Sequence, residues 1–151
     1  SSPTFQWEQI KDSVLDLIEA WPDREFCYTT LHILKDVVAP RHTDYENSGC
    51  ALMCTLGQFG GGEVGWCKPM GEVAARTNNR NQWFLCNVLW PHWTEPFEVE
   101  PGEHRYSIIV CTRRDYFYIQ GSDPAVVMLS VAGFRHWGSQ VAYLSHCRCL
   151  E

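Results

Sequence analysis

The residues of this chain best suited to chemistry are His42 and Asp44, one residue apart in Ala39-Pro40-Arg41-His42-Thr43-Asp44. His92 follows later, and Arg105 stands thirteen residues beyond it. Two imidazoles and one carboxylate make a metal face that leaves coordination positions open, the ligand set of non-haem Fe(II) chemistry. In extended backbone, residues i and i+2 point the same way, so His42 and Asp44 can reach one ion while Thr43 turns elsewhere. The third ligand must come from a different strand, and His92 is placed in sequence to supply it. An arginine on a later strand can hold a carboxylate through a fork of N–H donors. The plain alternative is that a His-x-Asp pair arises often by chance. The chain has six histidines, and a histidine on a strand is often just a satisfied polar residue.

The elements that must position these groups are mostly strands. Ile10, Val14, Leu17, Ile18 and Trp21 recur at helical spacing, and Pro22 ends the run, so a helix is expected within residues 1–24. Residues 25–34 are rich in β-branched and aromatic residues, and 51–59 is a compact apolar run. Gly60-Gly61-Gly62 permits a sharp turn into 63–66, read as a hairpin. Residues 68–82, with Asn78, Asn79 and Asn81, read as a loop. Strands are expected over 83–88, 92–97 and, most clearly, 104–113. A helix over 124–134 and an edge strand over 140–145 complete the reading. Many short strands, Gly/Pro turns and one flanking helix give a mainly β (α+β) fold, a sandwich or jelly roll. The division expected is a single domain over 1–151: helix to 24, jelly-roll core over 25–114, and a C-terminal extension over 115–151.

Composition sets outer bounds. The chain has 151 residues, 45% of them hydrophobic, enough for one packed core. Twelve basic residues against eighteen acidic give a net charge of −6, which argues against nucleic-acid binding through phosphate neutralisation. Arg76, Arg80, Arg113 and Arg114 read as solvated surface. No apolar run is long enough to span a membrane. The chain opens on Ser1, which reads as processing or excision from a longer protein. Most of the eight cysteines sit in apolar runs and read as free buried thiols of an intracellular, cytoplasmic or nuclear, protein. His136, His146, Cys147 and Cys149 fit no closed zinc pattern well. Gly60-x-Gly62-x-x-Gly65 fits a dinucleotide fingerprint formally, but Trp66-Cys67-Lys68-Pro69 follows it where a helix would be needed.

The order of motifs resembles the Fe(II)/2-oxoglutarate-dependent dioxygenase superfamily. The likeness is to compact oxygenase domains of algal and fungal genomes, related to the ten-eleven-translocation and J-binding type. It runs through His42-Thr43-Asp44, Asn47, Leu52-Met53-Cys54-Thr55-Leu56-Gly57-Gln58-Phe59-Gly60-Gly61-Gly62-Glu63-Val64, then Pro91-His92-Trp93-Thr94-Glu95-Pro96-Phe97, then Gly102-Glu103-His104-Arg105-Tyr106-Ser107. It covers residues 25–114, with a weaker echo at 129–134. One departure is Asn87-Val88-Leu89, where the family carries an acidic-Gly-basic turn.

The resemblance implies a double-stranded β-helix (jelly roll) and an enzyme that uses Fe(II), 2-oxoglutarate and O2, releasing succinate and CO2 as it hydroxylates a substrate. His42, Asp44 and His92 would hold the iron. Arg105 would pair with the far carboxylate of 2-oxoglutarate, Ser107 on the same strand face would add a hydroxyl, and Asn47 either caps a turn or touches a ligand. Parity suggests that Thr94 supports His92, that Trp90 can wall the pocket and that His104 points away, with core packing expected for at least one of Trp90 and Trp93. His32 reads as a satisfied core histidine, and Glu98, Glu100 and Glu103 as rim charges. The substrate class stays open among a nucleobase, a protein side chain and a small molecule. Two other functions remain: a cupin-like jelly-roll metal protein that uses no keto acid, and a non-catalytic binding module. Arg105 with Ser107 speaks against the first, because that pair has a purpose only if a carboxylate binds.

Overall fold

The two strongest strand sequences, Ala51–Gly57 (β2) and Arg105–Cys111 (β9), pair with each other along their whole length in a computed structural model of the chain. The structure describes residues 3–22, 26–70 and 73–118. Around β2 and β9 an antiparallel sheet of four strands forms in the order β1-β9-β2-β6, where β1 is Thr30–Lys35 and β6 is Phe84–Cys86. A second antiparallel sheet orders β5-β4-β7, with β4 at Val64–Trp66, β5 at Ala75–Thr77 and β7 at His92–Thr94. Gly60–Gly61 (β3) and Phe97–Glu98 (β8) make a short third pair. The fold is mainly β with one N-terminal helix, α1 at Pro3–Ile18.

Period-2 alternation explains how β2 and β9 serve two layers. Leu52, Ile108 and Val110 turn to one face, where Val14 and Ile18 of α1 meet them together with Phe26 and Tyr28. Met53, Thr55, Ser107 and Ile109 turn to the other face and line a cavity. Val64, His92 and Thr94, from the three-stranded sheet, line the same cavity. Ala51, Met53, Val64, Cys86 and Val88 form a second apolar cluster at its floor. The four-stranded sheet is thus covered by a helix on one side and by the other sheet on the other.

Several expectations need correction. The strand expected from 25 begins at Thr30, although Thr29 already donates to the Cys111 carbonyl. Ile10 of the apolar stripe is 46% exposed and lines an open groove with Val14, Leu56 and Ile108. The Gly60–Gly62 segment does not close a hairpin: β3 pairs with β8, and β4 with β5 and β7. The segment 68–82 contains β5. Cys54, Cys67, Cys86 and Cys111 are free, but Cys50 is disulfide-bonded. Among the described residues no helix is long and apolar enough to cross a membrane. The helix and strand expected over 124–134 and 140–145, and the His136, His146, Cys147 and Cys149 group, lie outside the described residues.

Leu52 is fully buried between α1 and the sheet. Leu52→Ala should therefore destabilise the fold by about 2–5 kcal/mol, the cost of lost transfer energy plus a cavity. Urea denaturation would show this as a lower midpoint at unchanged slope.

Candidate metal centre and its cavity

His42, Asp44 and His92 come together as the sequence predicts, their ligand atoms all within 4.8 Å of one another. Backbone pairing does most of the positioning. His42 and His92 exchange two hydrogen bonds, N–H to carbonyl, at 3.0 and 2.9 Å, so two segments fifty residues apart are fixed side by side. The Asp44 N–H donates to the Val88 carbonyl, and the Asp44 carbonyl accepts from Asn47. The imidazole rings lie with centroids 4.3 Å apart.

The proton positions on these rings follow from their partners. His42 Nδ1 meets the Pro40 carbonyl at 2.6 Å, and His92 Nδ1 meets the Trp90 carbonyl at 2.8 Å. A carbonyl only accepts, so each Nδ1 carries the hydrogen, and in the neutral ring each Nε2 presents a lone pair. Those Nε2 atoms face the Asp44 carboxylate at 3.5 Å (His42) and 3.3 Å (His92). Ligand atoms in adjacent positions around one ion, each about 2.1 Å from it, sit roughly 3 Å apart. The three groups therefore fit a divalent cation, whose charge would replace an unfavourable meeting of lone pairs. When His92 Nε2 carries a proton, its hydrogen bond holds the Asp44 carboxyl below the usual carboxylate range, the same sense in which a cation bound there would act. Burial pushes the nearby Cys86 and Cys111 thiols up to about 12, with the Asp44 charge adding to it. Neither thiol belongs to the group of converging ligand atoms.

The same cavity, about 100 Å³ in volume, is also lined by Arg105 and Ser107. Arg105 is only 2% exposed. Its Nη1 donates to Ser107 Oγ at 2.7 Å and its Nη2 to the Gly62 carbonyl at 2.8 Å. Phe59 and Phe97 hold the guanidinium at 5.4 and 5.1 Å from their ring centroids. Among the described residues no carboxylate pairs with the guanidinium, and its Nε has no hydrogen-bond partner. Burial lowers its pKa. Gly62 makes this packing feasible: its φ is +74°, and a Cβ there would stand 2.8 Å from Arg105 Nε.

Other residues fall differently from their sequence reading. Asn47 lines a second cavity, of about 410 Å³, on another side of Asp44, and its backbone N–H closes the turn onto Asp44. It does not line the Arg105 cavity. His32 is exposed on the edge strand β1, not in the core, and lines that second cavity with Tyr45, Glu46 and Arg113. Trp93, not Trp90, walls the first cavity; Trp90 stacks on Trp66 at 6.2 Å. Gly65 lies directly under the Trp93 ring, where a Cβ would come within 2.1 Å of it. Thr94 lines the cavity beside His92. Arg76 and Arg113 are paired with Glu95 and Glu46. Glu98, Glu100 and Glu103 are exposed.

Asp36 was invisible as a site residue. Its Oδ1 accepts from the Arg105 backbone N–H at 2.8 Å, and its Oδ2 from His104 Nδ1 at 2.6 Å. It therefore fixes the strand end from which Arg105 projects, while His104 points away from the cavity, as its parity predicted. The Arg105 N–H first, and His104 after it, hold the Asp36 carboxyl below its ordinary range. A depressed folded-state pKa stabilises above the unfolded value and loses that effect as pH falls through the folded one. Asp36→Asn should thus lower Tm at neutral pH, and the deficit should vanish as the solution is acidified below the carboxylate range. A pH series of thermal melts checks this.

No protein-family model matches the chain, and no curated protein matches it. The site is accordingly read from its own geometry. His92→Ala and Asp44→Ala should each weaken divalent-metal binding by more than about a hundredfold, since even loss of a supporting group around a metal costs 10–100-fold. Calorimetric titration with Mn(II) measures it, and wild-type affinity in either variant would remove these residues from the ligand set.

Proposed function

We propose that the chain is an Fe(II)- and 2-oxoglutarate-dependent dioxygenase on a double-stranded β-helix scaffold. The observation that carries this reading is Arg105. A buried guanidinium without a carboxylate is costly, and the cost is offset when a ligand supplies the missing charge. The cavity that ends at Arg105 begins at two imidazoles and a carboxylate, so a ligand with an acid at one end and metal-binding oxygens at the other suits both ends. Two antiparallel sheets flanking that cavity support the jelly-roll reading.

Each residue then has a task. His42, Asp44 and His92 would hold Fe(II), which when bound supplies oxygen activation coupled to decarboxylation of 2-oxoglutarate to succinate and CO2. Arg105 binds the far carboxylate of the co-substrate, and Ser107 Oγ fixes the guanidinium orientation. Phe59, Phe97, Met53 and Val64 exclude water. The Nδ1–H bonds to the Pro40 and Trp90 carbonyls fix the ring orientations and keep each Nε2 aimed at the site. The second cavity shares Asp44 and Ile109 with the first, which gives a substrate an approach that Arg105 does not line. A net charge of −6 speaks against unaided binding to duplex nucleic acid, and a nucleobase, protein side chain or small molecule are the substrates to screen.

Incubation with Fe(II), 2-oxoglutarate and air should yield succinate, and His42→Ala or Asp44→Ala should yield none. Arg105→Ala should raise the 2-oxoglutarate requirement about a hundredfold, as expected for truncating one side of a buried charge pair. Metal binding without succinate would leave a cupin-like protein that uses no keto acid; neither would leave a binding module.

A further inference from the structure

Asn79 stands in the segment 68–82, which reads in sequence as a plain polar loop. Asn79 is 1% exposed and lines the cavity shared by Arg105 and the metal group. Thr55 Oγ1 donates to its Oδ1 at 3.2 Å, which leaves Nδ2 buried without a hydrogen-bond partner. An orphaned buried donor costs about 1–3 kcal/mol, so such atoms are rare unless a ligand or water completes them.

Its place is built, not incidental. Thr55 N donates to the Asn79 carbonyl at 3.0 Å, and Asn81 N donates to the Thr55 carbonyl at 2.8 Å, so two backbone bonds strap residues 79–81 to Thr55 of β2. Asn81 takes a positive φ of 56° to turn the chain there. Asn78 Oδ1 accepts from Arg80 N, and Arg80 Nη1 binds the Phe59 carbonyl at 2.9 Å, which ties the loop to the ring that covers Arg105. Across the sheet Thr55 is the register partner of Ser107, whose hydroxyl accepts from Arg105. Asn79, Thr55, Ser107 and Arg105 therefore form one contiguous polar row in a cavity whose other walls are largely apolar.

We infer that Asn79 is a second carboxylate-binding residue of the cavity: its Nδ2 donates to the same ligand carboxylate that Arg105 holds. This rests on the reading of the cavity as a dicarboxylate site. The guanidinium supplies charge, while the amide supplies a directed, uncharged donor on another side of the carboxylate. Together they select an acid of the right reach over a monocarboxylate that satisfies only the metal end.

The test is equilibrium binding of 2-oxoglutarate to the Ni(II)-loaded chain, comparing wild type, Asn79→Ala and Gln82→Ala. Asn79→Ala should weaken 2-oxoglutarate by about tenfold or more, the value of a hydrogen bond to a charged group, with Ni(II) affinity unchanged. Gln82→Ala removes the loop's side-chain bond to the Asn78 carbonyl, outside the cavity, but keeps the Asn79 donor, so it should change 2-oxoglutarate affinity less than about twofold. Equal losses in the two variants, or wild-type affinity in Asn79→Ala, would overturn the assignment and make Asn79 a loop anchor. Should either variant fail to fold, the metal-free wild type is titrated with glutarate by NMR. A buried side-chain amide pair should then shift with saturation, and an unmoved amide set would overturn the inference. If wild type binds no 2-oxoglutarate, the reading of the cavity itself fails with it.

Discussion

A buried positive charge that no carboxylate among the described residues meets is the constraint around which this structure is arranged. Arg105 sits at the start of β9, and four separate segments combine to keep it there. Asp36 holds its backbone N–H, Ser107 and the Gly62 carbonyl take its Nη atoms, and Phe59 and Phe97 cover its faces. None of these supplies negative charge to the guanidinium. A protein that stabilised Arg105 for its own sake would pair it with an acid; here the fold aligns the charge and leaves its neutralisation to something else.

The opposite end of the cavity carries the complementary problem. Two imidazole lone pairs and a carboxylate converge, held by a backbone bridge between His42 and His92 that side-chain chemistry alone would not maintain. One part presents a positive charge and the other a set of converging metal-ligand atoms. The sheets keep both in register because β9 supplies Arg105 and Ser107, while β7 supplies His92. Packing of α1 on the far face of β2 and β9 makes that register stiff. Ligand and metal are then expected to reinforce one another, each gaining from the order the other imposes.

Much of this was legible in the sequence, and the failures have definite causes. Parity found Arg105 with Ser107 and turned His104 away, because β9 is long and regular. The grouping of His42, Asp44 and His92 followed from residue type and spacing. Parity failed for Trp90 because the chain turns at Asn87 to Trp90, where Trp90 N reaches back to the Asn87 carbonyl, and counting cannot be carried through a turn. Trp93 reaches the cavity through the gap left by Gly65 on a neighbouring strand, a pairing no local pattern encodes. His32 was misread because an edge strand looks like a central one in sequence. Asn79 and Asp36 were missed for a common reason: polar residues in loops usually serve local turns, as Asn78 and Asn81 do, and only tertiary contacts distinguish those that serve the cavity.

Calorimetry of 2-oxoglutarate binding, with and without a redox-inert divalent metal, addresses the pairing of the two ends most directly. The account predicts that metal strengthens 2-oxoglutarate binding at least about tenfold, and that 2-oxoglutarate strengthens metal binding by the same factor. Independent binding of the two, or tight 2-oxoglutarate binding that survives removal of the Arg105 guanidinium, would contradict it.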